Sequence, residues 1–439
     1  MAFSLTVIPR AKTACTIAIF ATGNTVAMLL GVVGSLVQAR YIGPSDMGVF
    51  RTFGIVAGYL FFFELGVFSG LQREIPLQLG CGNRAQAEQA ASACLAWIMF
   101  ASLASGTIFL GLALRSACLG EWMQFWGWLA YAPGSAATLY GGYLSTTFRT
   151  GQQFIALSKA SVIQAIAATL VLPLLPIMGY YGACLRAAVS SVTNISLLHR
   201  WRPLRVRPRL DWPGFWRVVR IGLPLSGIGY VYTSLWISLE GTLVLAWFGT
   251  KALGLYSVAV FVRTVVGQLV QNVSQVLNVK MCERYGRSNS ARDALRRIVA
   301  PVALMSLASL PLIAVGWLLM PRVVRVLIPR YVEATFLMQV FLIMMPVLML
   351  KIPTAVLWVA VKLLDCFTSV IVGFAAFMAT AYCSFRMGFG LPGMAVAFLI
   401  GQVTYLLVAW AFTLKLVHQE RGQVTRLDDK GVFGGADTL

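Results

Sequence analysis

The sequence is poor in charge. Only 11% of its 439 residues are Asp, Glu, Lys or Arg, while 59% are hydrophobic and mean hydropathy is +0.78. A soluble domain uses about 25% charged residues to cover its surface, so cytosolic enzyme classes are excluded. Histidine is almost missing: His199 and His418 flank apolar runs and leave little for a histidine-based metal centre or catalytic triad. The eight cysteines (Cys15, Cys81, Cys94, Cys118, Cys184, Cys282, Cys366, Cys383) are scattered without a CxxC pair and read as reduced fillers. No GxxxxGK segment is present, so direct ATP coupling would need another chain. Acid is scarcer than base, 15 residues against 35, for a net charge of +20. These bases sit between apolar runs, where membrane orientation explains them and a nucleic-acid partner is not implied.

What is abundant is long apolar sequence. A hydrocarbon core of about 30 Å takes ~20 helical residues per crossing. On that measure twelve spans are expected, near 14–37, 48–72, 91–113, 122–147, 157–178, 180–198, 219–248, 254–279, 298–320, 334–361, 366–385 and 391–414. The first follows Arg10 and Lys12, is longer than a signal-peptide core and is expected to stay uncleaved. With both termini cytoplasmic, inside segments hold 24 of the 35 Lys and Arg and outside loops hold 8, which meets the positive-inside rule. Arg322, Arg325 and Arg330, clustered outside, are the main exception.

The segment HRWRPLRVRPRLDWPGFWRVVR, 199–220, divides six spans from six. Its prolines oppose a long helix, and its seven arginines suit either a topology anchor or a substrate-recruiting patch; both attract anionic lipid headgroups. The expected organisation is an N-terminal six-helix lobe at 1–198, a basic cytoplasmic linker at 199–218, a C-terminal six-helix lobe at 219–416 and a cytoplasmic tail at 417–439. A shift of 206 residues lays Gly43 and Gly48 on Gly249 and Gly254, Gly80 on Gly286, Asn83 on Asn289 and Ala85 on Ala291, which points to a duplication. Asn83 with Gln86 and Ser290 with Asp293 have capping-box spacing. The fold class is therefore an all-α polytopic membrane protein with about 12 transmembrane helices. Its two six-helix lobes are related by an axis along the membrane normal, because an even number of spans per repeat makes both halves enter from one side.

Ionisable groups within spans cost ~2.5–3.5 kcal/mol each on insertion scales, so they are the first candidates for chemistry. They are Glu64, Arg186, Glu240, Arg263 and Lys351. Arg263 lies nine residues beyond Gly254, roughly 13 Å along a helix, and is the leading anionic-ligand contact. Lys351, between Pro346 and Pro353, faces either a cavity or an interface to which its stem can snorkel; Arg186 has the same two options. Glu64 and Glu240 are candidates for ion coupling, for charge pairing or for protonated, hydrogen-bonded burial. Tyr230, Tyr232, Thr233, Ser234 and Ser238 give the seventh span a polar flank, expected of a water-lining helix. The first span offers only hydrogen bonds, from Thr22, Asn24, Thr25 and Gln38.

RYIGPSDMGVFRTF, 40–53, followed by ELGVFSGLQREIP, 64–76, resembles the polysaccharide (O-antigen) flippases of the multidrug/oligosaccharidyl-lipid/polysaccharide (MOP) exporter superfamily. The similar elements are the turn Arg40 to Pro44, the acidic-x-Gly element Glu64 and Gly66, and Arg73; LIPRYVEA, 327–334, is a second echo with Pro329 at the usual glycine position. The resemblance implies two six-helix lobes in a bacterial inner membrane. It also implies movement of an undecaprenyl-pyrophosphate-linked oligosaccharide between leaflets by alternating access, in lipopolysaccharide O-antigen synthesis. No cofactor and no catalysis are implied. Implied partners are the lipid-linked oligosaccharide, a proton or sodium ion, and polysaccharide polymerase and chain-length proteins. Arg263, Lys351, Arg186 and Asn24 then become substrate contacts. Related lipid II flippases carry charge in the first span, where this chain has Asn24. A drug or cation exporter of the same superfamily would want a net acidic site, whereas three in-span cations here face two acids. A membrane-embedded polymerase or ligase would want a sizeable outside loop, and these are about 15 residues or fewer.

Overall fold

The computed structural model describes residues 10–288, 290–360 and 362–429, and all regular elements among them are helical. Asn289 of the internal repeat and residues 430–439 of the expected tail lie outside the described residues. The first expected span is α1, Arg10–Tyr41. The second is broken: α2, Pro44–Leu60, passes through a 3-10 turn at Phe61–Glu64 and restarts as α3, Val67–Gly80. α4, Arg84–Cys118, and α5, Trp122–Thr150, are long and continuous, whereas the fifth span is α6, Phe154–Leu170, plus the short α7, Leu175–Met178. α8 covers Tyr180–Trp201 and α9 covers Trp212–Tyr230, which continues through a π turn at Val231–Leu235 into α10, Trp236–Ser288. Gly249, at φ 80° and ψ −177°, breaks α10 into two arms. α11, Ala291–Leu327, a 3-10 segment at Pro329–Ala334 and α12, Thr335–Leu350, follow. α13, Val356–Val359, α14, Leu363–Arg386, and α15, Gly390–Asp429, complete the chain. Nine stretches among the described residues are long and apolar enough to cross a membrane, and the one at Ser226–Gln271 contains the Gly249 break. Leu304, Leu307 and Leu318 of α11 are exposed, as lipid-facing residues should be.

Several expectations change in detail. The first capping box does not form among the described residues: Asn83 makes no side-chain cap, and its backbone carbonyl instead receives the N–H groups of Gln86 and Ala87. At the other start, Ser290 Oγ donates to Glu420 at 3.2 Å and the Ala291 N–H bonds the same carboxylate at 2.8 Å. Asp293 is drawn away by Arg284 Nε at 2.6 Å. A carboxylate from α15 thus satisfies the orphan amides of α11 better than a local side chain.

The chain forms two compact units. One comprises Met1–Val258 with Val324–Glu333, and the other Ala259–Val323 with Ala334–Leu439. The basic linker lies inside the first unit, although the sequence placed the lobe boundary there. Residues 202–211 run extended along α4, with Ser92 Oγ donating to the Arg207 carbonyl and Arg209 N–H reaching the Ser92 carbonyl at 3.4 Å. Asp211 caps α9, accepting from Gly214 N–H at 3.2 Å and from Gln89 at 2.6 Å. These bonds, the Gly214 one first, hold its carboxyl below the usual range. The core under this linker joins Leu71, Ile98, Tyr143 and Phe148 to Phe215 and Val218 of α9.

The internal repeat has a physical counterpart in this unit. Helices start immediately after Gly43 and after Gly249, and each then presents a glycine to the other. A Cβ on Gly48 would land on the Thr250 carbonyl and 3.1 Å from Gly254 N; one on Gly254 would land on the Pro44 carbonyl and 3.0 Å from Gly48 N. Positions 44 and 250, like 48 and 254, are one repeat apart, so the contact is reciprocal. Small residues are what allow two membrane helices such close backbone approach. Further along, Gly66, just before α3, and Gly70 of α3 meet Gly222 of α9, with a Cβ on Gly222 falling 2.6 Å from Gly70 N. The Tyr331 hydroxyl closes the same unit by donating to the Ile42 carbonyl at 3.0 Å.

Candidate functional site

In the second unit the two expected cation sites converge on one helix face. Phe398, Gln402 and Tyr405 recur at intervals of four and three on α15, so they share a face over ~10 Å of rise. The Arg263 guanidinium lies 4.0 Å from the Phe398 ring centroid and 5.1 Å from that of Phe341. Arg263 is only 8% exposed, which removes it from the lipid-facing surface. Two cation–π contacts of ~0.5–2 kcal/mol each are on the scale of the cost of placing an arginine in a span, so this site can hold the charge. Lys351 Nζ donates to Gln402 Oε1 at 3.1 Å and lies 4.0 Å from the Tyr405 centroid.

Backbone irregularity positions this lysine. α12 ends at Leu350, and Pro353 prevents ordinary continuation of the helix. The carbonyls released there are recovered: Trp410 Nε1 donates to Leu350 O at 2.9 Å and Thr354 Oγ1 to Lys351 O at 2.8 Å. The arrangement is a pair of inward-held cations one to two turns apart on an aromatic and amide wall.

The remaining candidates belong to the first unit. Glu64 sits at the end of the 3-10 turn, and Leu65 (φ 46°) and Gly66 (φ 81°) then adopt left-handed conformations. A leucine there costs ~1–2 kcal/mol, strain of the kind found at functional sites. Glu64 Oε1 offsets part of it by accepting the Phe68 N–H at 3.0 Å, which caps α3. Glu240 is 1% exposed and accepts a short hydrogen bond from the Tyr256 hydroxyl. Arg186 NH1 donates to Gln38 Oε1 at 2.8 Å. Gly34 makes room for this guanidinium, since a Cβ there would lie 2.8 Å from Arg186 Cζ. Asn24 is half-buried on α1. The described contacts therefore join Arg263 to Lys351 through α15, and Glu64, Glu240, Arg186 and Asn24 belong to the first unit.

Part of the polar flank on the seventh span is used for packing. Ser238 Oγ fills the space beside Gly58, and the Tyr230 hydroxyl donates to the Tyr59 carbonyl at 3.2 Å. Gln402, Phe398 and Tyr405 did not stand out in the sequence. A lone glutamine at helical spacing from two aromatics was the available signal, but it resembles an ordinary apolar span.

This fold is that of MOP-superfamily transporters. An inward-facing multidrug-resistance MATE family transporter is similar with a TM-score of 0.71 and 15% identity, over 89% of this chain and 95% of its own. An outward-facing form of a transporter described in the same words gives 0.67 and 15%, over 93% and 96%. A MOP transporter from Pyrococcus furiosus Vc1, described as having a binding pocket of reverse polarity that suggests a different function, gives 0.66 and 14%, over 92% and 95%. No curated protein sequence matches the chain. Residues 37–331 match the polysaccharide biosynthesis protein family, and the chain belongs to that family.

Proposed function

We propose that this protein is a flippase that carries an undecaprenyl-pyrophosphate-linked oligosaccharide from the cytoplasmic to the periplasmic leaflet of a bacterial inner membrane. On this reading transport proceeds by alternating access coupled to an ion, and both termini are cytoplasmic. The carrying observation is the Arg263 and Lys351 pair on the Phe398, Gln402 and Tyr405 face of α15. A pyrophosphate cannot enter hydrocarbon without replacement of its hydration, and guanidinium and ammonium groups supply charge-assisted hydrogen bonds to phosphate oxygens. Membership of the polysaccharide biosynthesis family supports a glycan as the cargo.

Reconstituted vesicles loaded on one side with a fluorescent lipid-linked oligosaccharide test this. Wild-type protein should expose the glycan to an external lectin, and Arg263→Ala and Lys351→Ala should each slow exposure at least tenfold. Unaltered rates in both variants would remove the pair from the site. A second reading, export of an organic cation, is favoured by Glu64 and Glu240 buried beside aromatic residues. Efflux of a lipophilic cation without glycolipid movement would select it.

A further inference from the structure

Where α3 ends and α4 and α9 begin, the first unit holds a cleft of about 180 Å³, room for about six waters. Its polar side chains are Glu74, Gln86, Gln89, Asp211 and Arg217, and its lining includes no aromatic residue. Glu74 stands six residues before Gly80, the last of α3. Gln86 and Gln89 fall in the first two turns of α4, Asp211 caps α9 and Arg217 sits in the second turn of that helix. Trp212 and Trp216, the chain neighbours of Pro213 and Arg217 in this wall, are 53% and 39% exposed. Exposed indoles on a membrane protein mark the level of the lipid headgroups.

The hydrogen bonds determine what this cleft can accept. Glu74 is only 4% exposed, and its Oε1 accepts from Gln78 Nε2 at 2.9 Å. Its second oxygen takes no hydrogen bond, and neither Glu74 nor Arg217 makes an ion pair, among the described residues. A carboxylate so deeply buried, with one neutral donor, lacks the compensation that a buried charge requires, and a cationic guest would supply it. Asp211 differs, being occupied by Gln89 at 2.6 Å and by the Gly214 N–H at 3.2 Å. The Arg217 charge on the same cleft opposes a bare metal ion and suits a guest that carries an anion beside its cation. At headgroup level that guest is a phospholipid with a primary ammonium next to its phosphate. Choline has no N–H to donate and is ordinarily held by an aromatic cage, which this lining lacks; a glycerol headgroup brings no cation.

We propose that this cleft binds the headgroup of phosphatidylethanolamine, with the ammonium on Glu74 and the phosphate on Arg217. Both contacts are charge-assisted, the strong class of hydrogen bond. The bound headgroup ties α3 to α9, helices that already pack closely through Gly70 and Gly222. The site is independent of the flippase reading, because it uses none of the residues assigned to the cargo.

The test is equilibrium binding of tritiated phosphatidylethanolamine to the purified full-length protein in detergent. Unlabelled phosphatidylethanolamine, phosphatidylcholine and phosphatidylglycerol with the same acyl chains serve as competitors. In wild type the labelled lipid should bind saturably, and phosphatidylcholine and phosphatidylglycerol should each displace it at least tenfold less effectively than unlabelled phosphatidylethanolamine, as expected for the loss of one charge-assisted contact. Glu74→Gln should erase the preference over phosphatidylcholine. Arg217→Ala should raise the half-saturating concentration about tenfold while keeping the order of the competitors. If Glu74→Gln is not monodisperse, Arg217→Ala, at an exposed position, decides together with the wild-type order. Equal displacement by the three lipids in wild type, a preference that survives Glu74→Gln, or unchanged half-saturation in Arg217→Ala would overturn the site. Displacement by soluble glycerophosphoethanolamine as effective as by the lipid would show a soluble guest and overturn the lipid assignment.

Discussion

Substituting alanine at Gly48 or Gly254 places a methyl group against backbone of the opposing helix. The atoms it meets are the carbonyls of Thr250 and Pro44, which cannot rotate aside as a side chain would. Overpacking of this kind costs about 1–3 kcal/mol, while removing a glycine from a helix returns about 1 kcal/mol of propensity. The net loss for either single variant is therefore about 0–2 kcal/mol. Gly111→Ala is the reference, because nothing lies within 4 Å of a Cβ there; it should equal wild type or exceed it by up to about 1 kcal/mol. Both methyls demand the same separation of the same two helix starts, so Gly48→Ala/Gly254→Ala should cost less than the sum of its parts by at least about 0.5 kcal/mol. Reversible unfolding in mixed micelles, followed by far-UV circular dichroism, measures all four variants. Gly254→Ala as stable as Gly111→Ala, or a strictly additive double variant, would refute the reciprocal contact.

Other outcomes follow from single contacts. Arg263→Lys keeps the charge but loses the planar stack on Phe341 and Phe398, so its transport rate should fall between wild type and Arg263→Ala in the lectin assay. Tyr256→Phe removes a donor from the buried Glu240 and should destabilise the protein by about 1–3 kcal/mol in the same unfolding measurement. Glu420→Gln weakens the cap on α11 and should increase amide hydrogen exchange at Ala291 and Arg292. Asp211 has its carboxyl pKa depressed by folding, so its charge stabilises above the unfolded value of about 3.9 and that contribution fades as pH falls through the folded value. The stability gap between wild type and Asp211→Asn should thus be present at neutral pH and close in acid.

Much of the fold was legible because its signals are local. Each apolar run became a helix, or a pair of helices, and glycines 43, 48, 249 and 254 recurred where two helix starts meet. The broken second span was less visible. ELGVFSG carries Gly66, but it also carries Leu65, whose left-handed conformation no propensity favours. Surrounding contacts impose it: the Phe68 N–H on Glu64 and the close approach of Gly222 to Gly66 and Gly70. The start of α11 was hidden for a related reason, since the carboxylate that accepts its first amide is Glu420, 129 residues from Ala291.

Sequence alone determined that this chain is a multi-pass membrane protein and which charged side chains hydrocarbon would penalise, because transfer from water depends on composition along one segment. Tertiary structure decided which of those charges share a wall. Arg263 and Lys351, 88 positions apart, meet one face of α15 only because three helices pack together. Such neighbourhoods depend on packing between distant segments, which one-dimensional periodicity does not encode.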